Sequence, residues 1–340
     1  MSVFKIKKVL IISVTISILA VAGIITGTGF YLTAPMAHHG DNRVFIIQSG
    51  MNLRNISDLL EQEGLIRSSL AFMIRVRLQG MGRMIKAGEY SLNPSMTPER
   101  IMEMITRGEV VAYNVTIPEG FTIAQIADVL SSYSLITKEE FLQYVNQHDI
   151  EKMYGFIGPG LEGYLYPDTY RFARGLSAKA IVDAMIMRFR TITAPLEGRI
   201  LESGINLHEV ITLASIVEKE TGNPDERPLI ASVFLNRLKK NMRLDSDPTV
   251  IYGMKDYSGN IRKKDLAAYS PYNTYVIKGL PPGPIANPGY HSIKAVLFPA
   301  DTEFLYFVSK NDGSHHFSKG LAEHNRAVRI YQKNALKTKN

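Results

Sequence analysis

The chain has 340 residues, a formal net charge of +7 and no cysteine. That length accommodates one membrane segment and two or three compact units, and a hydrophobic content of 45% excludes both a polytopic membrane protein and a disordered chain. The absence of cysteine excludes disulfide scaffolds, thiolate metal sites, cysteine nucleophiles and a lipidated-cysteine anchor. Basic residues are scattered rather than striped, so no nucleic-acid partner is expected.

Lys5, Lys7 and Lys8 precede an uncharged apolar run from Val9 to Leu32. About 20 apolar residues cross a bilayer core as a helix. The next basic residue is Arg43, so the positive flank puts residues 1–8 in the cytoplasm and the rest outside. The expectation is a single-pass inner-membrane protein with a cytoplasmic N-terminus and a periplasmic bulk. A cleavable signal peptide is the competing reading. Its apolar core is shorter, and Thr33-Ala34-Pro35-Met36-Ala37 is a poor cleavage site, so an uncleaved anchor over 9–32 is favoured. Residues 33–42, with Pro35 and Gly40, read as a linker.

An internal repeat follows. Ile47–Ile66 lies over Ile117–Ile136 without a gap, matching Gly50 with Gly120, Ile56 with Ile126, Asp58 with Asp128, Leu60 with Leu130, and Leu65-Ile66 with Leu135-Ile136. Each copy reads as a strand, a glycine turn and a helix whose apolar residues recur at helical spacing. A second helix near Ser69–Leu78 and a strand at Ala87–Leu92 give 43–92 the order strand, helix, helix, strand. In that order and in size the segment resembles a LysM module, which implies binding of N-acetylglucosamine-containing glycans; a packing spacer is the bland alternative. The module is expected over 43–112, with the second strand–helix repeat and a connector over 113–157.

From Gly158 the composition shifts to loops rich in Pro, Gly, Tyr and Asn. Helices are expected at Ala178–Ile192, Leu207–Thr221 and Glu226–Lys239, a hairpin from Phe304 to Ser318 around Asn311-Asp312-Gly313, and a last helix through Gly320–Lys333. The fold class is therefore α+β: a transmembrane helix, a βααβ module, and a mixed helical and small-sheet catalytic domain over 158–340.

Chemistry is expected on the helix after Asn206, a suitable N-cap. Leu207, Val210, Ile211, Ala214 and Val217 share an apolar arc, and Glu218 projects into it. A carboxyl on a buried face resists ionisation, as a general acid near neutral pH requires; a Glu held by an Arg or by backbone donors is the structural alternative. Glu220, roughly 200° round the helix, is expected to point off the cleft.

Several motifs together identify a resemblance. They are Leu161-Glu162-Gly163-Tyr164-Leu165-Tyr166-Pro167-Asp168-Thr169-Tyr170, Ala214-Ser215-Ile216-Val217-Glu218-Lys219-Glu220 and Leu244-Asp245-Ser246-Asp247-Pro248-Thr249-Val250. Ser270-Pro271-Tyr272-Asn273-Thr274-Tyr275, Gly279-Leu280-Pro281-Pro282-Gly283-Pro284-Ile285-Ala286-Asn287-Pro288-Gly289 and His324-Asn325 complete them. In these the chain resembles, over nearly its whole length, the YceG-like family of MltG-type endolytic murein transglycosylases.

The resemblance implies a lyase that cleaves the MurNAc–GlcNAc β-1,4 bond within peptidoglycan strands and leaves 1,6-anhydro ends, consuming no water and needing one acid/base, Glu218. It also implies a role in ending strand elongation beside a peptidoglycan synthase. Glu162, Tyr164, Asp247, Thr249, Asn273, Thr274, Tyr275 and Asn325 are the candidate substrate-binding residues, as ring faces, carboxylates and neutral donors suited to sugars. Turn fixing by Glu162, helix capping near Thr249 and packing by the tyrosines are their structural alternatives. His38-His39 and His315-His316 lack metal-site spacing, and no phosphate loop occurs, so neither a metal nor an organic cofactor is expected. Two other functions compete: a two-carboxylate hydrolase using Glu218 with Asp247 or Glu162, and a membrane-tethered glycan-binding scaffold without catalysis.

Overall fold

A computed structural model describes residues 3–48, 50–254 and 256–333, with side chains from Ile12 to Gln332. Contacts divide the chain into two compact units, residues 1–113 with 173–175, and 114–172 with 176–340.

In the first unit, helix α1 (Val3–Thr33) contains the segment Ile12–Thr33, which is long and apolar enough to cross a membrane. The side chains of Lys5, Lys7 and Lys8 lie outside the described residues. Strand β1 (Arg43–Ile47) is followed by α2 (Leu53–Gln62), α3 (Ser69–Leu78) and β2 (Gly88–Leu92). The two strands pair antiparallel, Arg43 opposite Leu92 and Ile47 opposite Gly88. Helix α4 (Pro98–Arg107), capped by Thr97 and ended by left-handed Gly108, closes the core of Phe45, Ile56, Leu60, Tyr90, Ile101 and their neighbours. The expected order strand, helix, helix, strand is present. Residues 33–42 are fastened rather than free: Arg67 donates to the carbonyls of Pro35 and Met36, and the Ala37 amide to that of Pro94.

The second unit opens with the other copy of the repeat, β3 (Ala112–Thr116), then α5 (Ile123–Ser132), α6 (Lys138–Val145) and the short α7 (Ile150–Met153). The aligned sequences fold alike. Asn52 and Thr122 cap α2 and α5, Leu65 and Leu135 donate back to the carbonyls of Leu60 and Leu130, and Ile56, Leu60, Ile126 and Leu130 are all buried. The strand that pairs with β3 is β4 (Thr169–Ala173). Thus the second copy is completed past residue 158, where a new domain was expected to begin.

Then follow α8 (Ala178–Thr193), α9 (Glu197–Ser203), α10 (Leu207–Glu220), α11 (Arg227–Lys239), α12 (Asp247–Gly253), α13 (Lys263–Ala267) and α14 (Tyr290–Leu297). The hairpin β5 (Tyr306–Ser309) and β6 (His315–Ser318) and helix α15 (Leu321–Val328), continued by a π-helical turn at Arg329–Lys333, follow. Helix α10 starts on a reciprocal cap between Asn206 and Glu209. It packs against α11, α12 and α14, and every residue from Val210 to Val217 is buried. A helix covered on all sides is the core of its domain rather than an amphipathic surface helix, which corrects the expected single apolar arc. Sequence patterning passed over α14 because it is short and follows a Pro-Gly stretch.

Candidate active site

At the C-terminal turn of α10, Glu218 leaves the apolar core with a side chain only 6% exposed. It is not an unpartnered acid. Arg227 Nη2 donates to its Oε1 at 3.0 Å and the Gly289 amide to its Oε2 at 3.0 Å. The structural alternative, an acid held by an arginine and a backbone donor, therefore describes its resting contacts.

A second carboxylate shares the arginine. Glu119 Oε2 lies 3.7 Å from the same Nη2, and its side chain is 43% exposed. Burial, and then the charge of Glu218, push the Glu119 carboxyl above its usual range, while Arg227 and His291 pull it back. Backbone places these groups. Gly120, at φ +75°, turns the chain from β3 into α5. Its amide donates to Asn287 O at 2.8 Å, and the Asn287 amide to Phe121 O at 2.9 Å. A β-carbon on Gly289 would collide with the Glu119 carboxylate. Fully buried Asn287 ties the turn to the Pro-rich loop: Nδ2 donates to Phe121 O and Glu162 Oε1, both at 2.9 Å, and Oδ1 accepts from the Leu165 amide at 2.9 Å.

The other sequence candidates fall into three places. Glu162 accepts from the Ile123 amide at the start of α5, from Asn287 and from Tyr252. Burial pushes its carboxyl up to about 7 against the pull of those donors. It lines a hollow of about 750 Å³ with Tyr252 and Tyr272. Asp247, Tyr275 and Asn325 line a separate, polar cleft of about 580 Å³, where Tyr275 donates to Asp247 at 2.7 Å. The remaining candidates are structural in this fold. Tyr164 is buried, stacked on Phe156 at 4.0 Å and bonded to His208 at 2.8 Å, so it offers no face to a sugar. Thr249 and Thr274 bond each other at 2.8 Å beneath Ser246. Asn273 donates to the carbonyls of Leu266 and Ala268.

Glu220 points away from Glu218, as expected, but into a cleft of its own. It lines the Asp247–Tyr275–Asn325 cleft, accepts from Ser246 Oγ at 2.5 Å, and is pushed up to about 7 by burial. Two residues apart on a helix is about 200°, so Glu218 and Glu220 point to opposite sides of α10, and Glu220 lines the polar cleft on its side. Glu119, Arg227, Asn287 and Gly289 were not singled out from the sequence. For Glu119 a signal existed: the repeat places it opposite Ser49, a change of chemistry inside an otherwise matched turn. Nothing in the sequence links Arg227 to Glu218.

Residues 45–330 match the model of the YceG-like family. The chain is 35% identical over 303 residues to a protein of Bacillus subtilis (strain 168) named endolytic murein transglycosylase, over 84% of this chain and 83% of that one. A Streptococcus pneumoniae (serotype 2, strain D39) protein of the same name is 29% identical over 314 residues, 83% of this chain and 57% of the relative. The crystal structure of a YceG-like protein from Listeria monocytogenes matches with a TM-score of 0.60 and 35% identity, covering 85% of this chain and 100% of that one.

Proposed function

The chain belongs to the YceG-like family, and on that premise we propose that it is an endolytic murein transglycosylase, a lyase that cuts peptidoglycan strands internally at the MurNAc–GlcNAc bond. The observation that carries the site assignment is the cluster on one guanidinium: Glu218 at the end of the core helix, with Glu119 beside it. Two carboxylates and one guanidinium carry a net charge of −1, and one added proton makes the cluster neutral. Burial and the neighbouring Glu218 charge raise the Glu119 carboxyl, so the added proton is held there, half-exposed to solvent and beside Glu218 on the shared guanidinium.

In the reaction proposed, Glu218 gives its proton to the glycosidic oxygen as the C1–O4 bond breaks. The MurNAc C6 hydroxyl oxygen then bonds to C1, its proton returns to Glu218, and a 1,6-anhydro end forms without water. Arg227 and the Gly289 amide hold the carboxylate in place between the two transfers. No metal or organic cofactor takes part. Helix α1 anchors the protein with residues 1–8 cytoplasmic, the module at 43–92 binds glycan, and cutting of nascent strands sets the enzyme beside a peptidoglycan synthase.

Glu220 supports a second assignment. It has the raised carboxyl and the polar cleft that a general acid needs. Purified glycan strands incubated with wild-type protein, Glu218→Gln and Glu220→Gln decide between them. Anhydro-ended products from wild type, lighter by one water than hydrolysed strands, and their loss only in Glu218→Gln support the first assignment. Loss only in Glu220→Gln moves the acid to the other side of α10, and reducing ends replace the lyase by a hydrolase.

A further inference from the structure

Helix α3 is apolar on two opposite faces. Phe72 and Val76 are buried in the core of the first unit. Leu70, Ile74 and Leu78, each four residues from the next, form a second stripe about 160° away. That stripe is 59%, 47% and 83% exposed. An amphipathic helix covering a soluble module presents polar residues there, so the stripe faces a medium other than water or a partner of its own.

The same unit indicates which. Ile74 and Leu78 line a hollow of about 520 Å³ together with Phe72 and with Gly29, Leu32 and Thr33 of α1, residues of the segment long and apolar enough to span a membrane. The two helices are fixed to each other by Arg67, just before α3. Its guanidinium lies 4.4 Å from the centre of the Tyr31 ring and donates to the Pro35 carbonyl at 2.8 Å. The stripe is thereby held level with the end of the span, where Phe30 and Tyr31, 79% and 58% exposed, form the aromatic edge usual at a bilayer interface. Exposed Arg77 borders the stripe, and a long basic side chain beside an apolar patch reaches lipid phosphates while its stem stays in the apolar layer.

We infer that the Leu70–Ile74–Leu78 face of α3 is a lipid-contacting surface, seated on the outer leaflet of the membrane that α1 crosses, with acyl chains filling the hollow between the two helices. The inference rests on the anchor reading of α1. It makes the first unit a membrane-surface element.

The chain contains no tryptophan, so a single introduced one is a clean reporter. Full-length Val21→Trp, Ile74→Trp, Leu78→Trp and Leu201→Trp proteins are placed in phosphatidylethanolamine–phosphatidylglycerol vesicles with plain or acyl-brominated chains. Val21 lies in the span, and Leu201 is 84% exposed in the second unit. The expected result is blue-shifted emission quenched by bromine at positions 21, 74 and 78, with none at 201. Quenching at 21 but not at 74 or 78 overturns the lipid surface while the anchor stands. Blue-shifted but unquenched emission at 74 and 78 overturns it in favour of cover by protein, such as a second copy. No quenching at 21 removes the anchor and this inference with it.

Discussion

Glu218 meets Arg227 at 3.0 Å with side chains 6% and 9% exposed, an ion pair inside the domain rather than on its surface. Removing one partner of such a pair strands the other charge, at a cost of about 3–5 kcal/mol. Arg227→Ala is therefore expected to lower the melting temperature sharply. Glu218→Gln, which keeps the shape and an acceptor oxygen, is expected to melt closer to wild type while losing about 10²–10⁴-fold in activity. Thermal melts beside strand-cleavage assays check both, and an active Glu218→Gln sinks the assignment.

Glu119→Gln tests the shared proton. It keeps the turn at Gly120 and removes one of two carboxylates on Arg227. The expected outcome is retained folding with a pH–rate profile whose acid limb differs from wild type. An unchanged profile means that Glu119 does not hold the proton with Glu218.

Gly289→Ala is expected to cost little stability, because its new methyl meets only the carboxylate end of the half-exposed Glu119 side chain, which swings aside; the acid limb of the pH–rate profile should change as Glu119 leaves Arg227. Adding Glu119→Ala removes the side chain that the methyl displaces, so the double variant should match Glu119→Ala alone in stability and in pH profile. Chemical denaturation of the single and double variants reads the coupling directly.

Asn287→Ala strands the buried Leu165 amide, while the Phe121 carbonyl keeps the backbone amide of residue 287. A buried polar group left unpaired costs about 1–3 kcal/mol. The loss in melting temperature is expected to come with reduced cleavage, because Asn287 fixes the loop that presents the Gly289 amide.

Stability should also depend on pH through Glu220 and Glu162. Their folded-state values, both about 7, lie above the ordinary 4.5. Between these values the folded protein binds more protons than the unfolded one, so stability falls as pH rises from about 4.5 to 7 and levels off above. Each group contributes a loss on the order of a few kcal/mol. Melts across that range are expected to be flatter in Glu220→Gln and flatter again with Glu162→Gln added. An unchanged slope in both excludes these carboxyls as the source.

Local pattern carried much of this protein. The uncharged run before Thr33, the repeat that sets Leu60 beside Leu65 and Leu130 beside Leu135, the Asn206 cap and the hairpin at Asn311-Asp312-Gly313 are each encoded within a few residues. Apolar periodicity, caps and turns act over such distances, so they are legible in one dimension. The sequence also placed Glu218 at the edge of the core, through its position on the apolar helix and through the family motifs. Its partners were not legible. Arg227, Glu119 and Gly289 come from the start of α11, the turn before α5 and the loop before α14, and no local preference records that these segments meet. Projection on a helical wheel separated Glu218 from Glu220 correctly, but it cannot say what covers each side. Only packing against α11, α12 and α14 decided that both sides of α10 are enclosed, and hence that Glu220 lies in a cleft while Tyr164, Thr249, Asn273 and Thr274 hold the loops together.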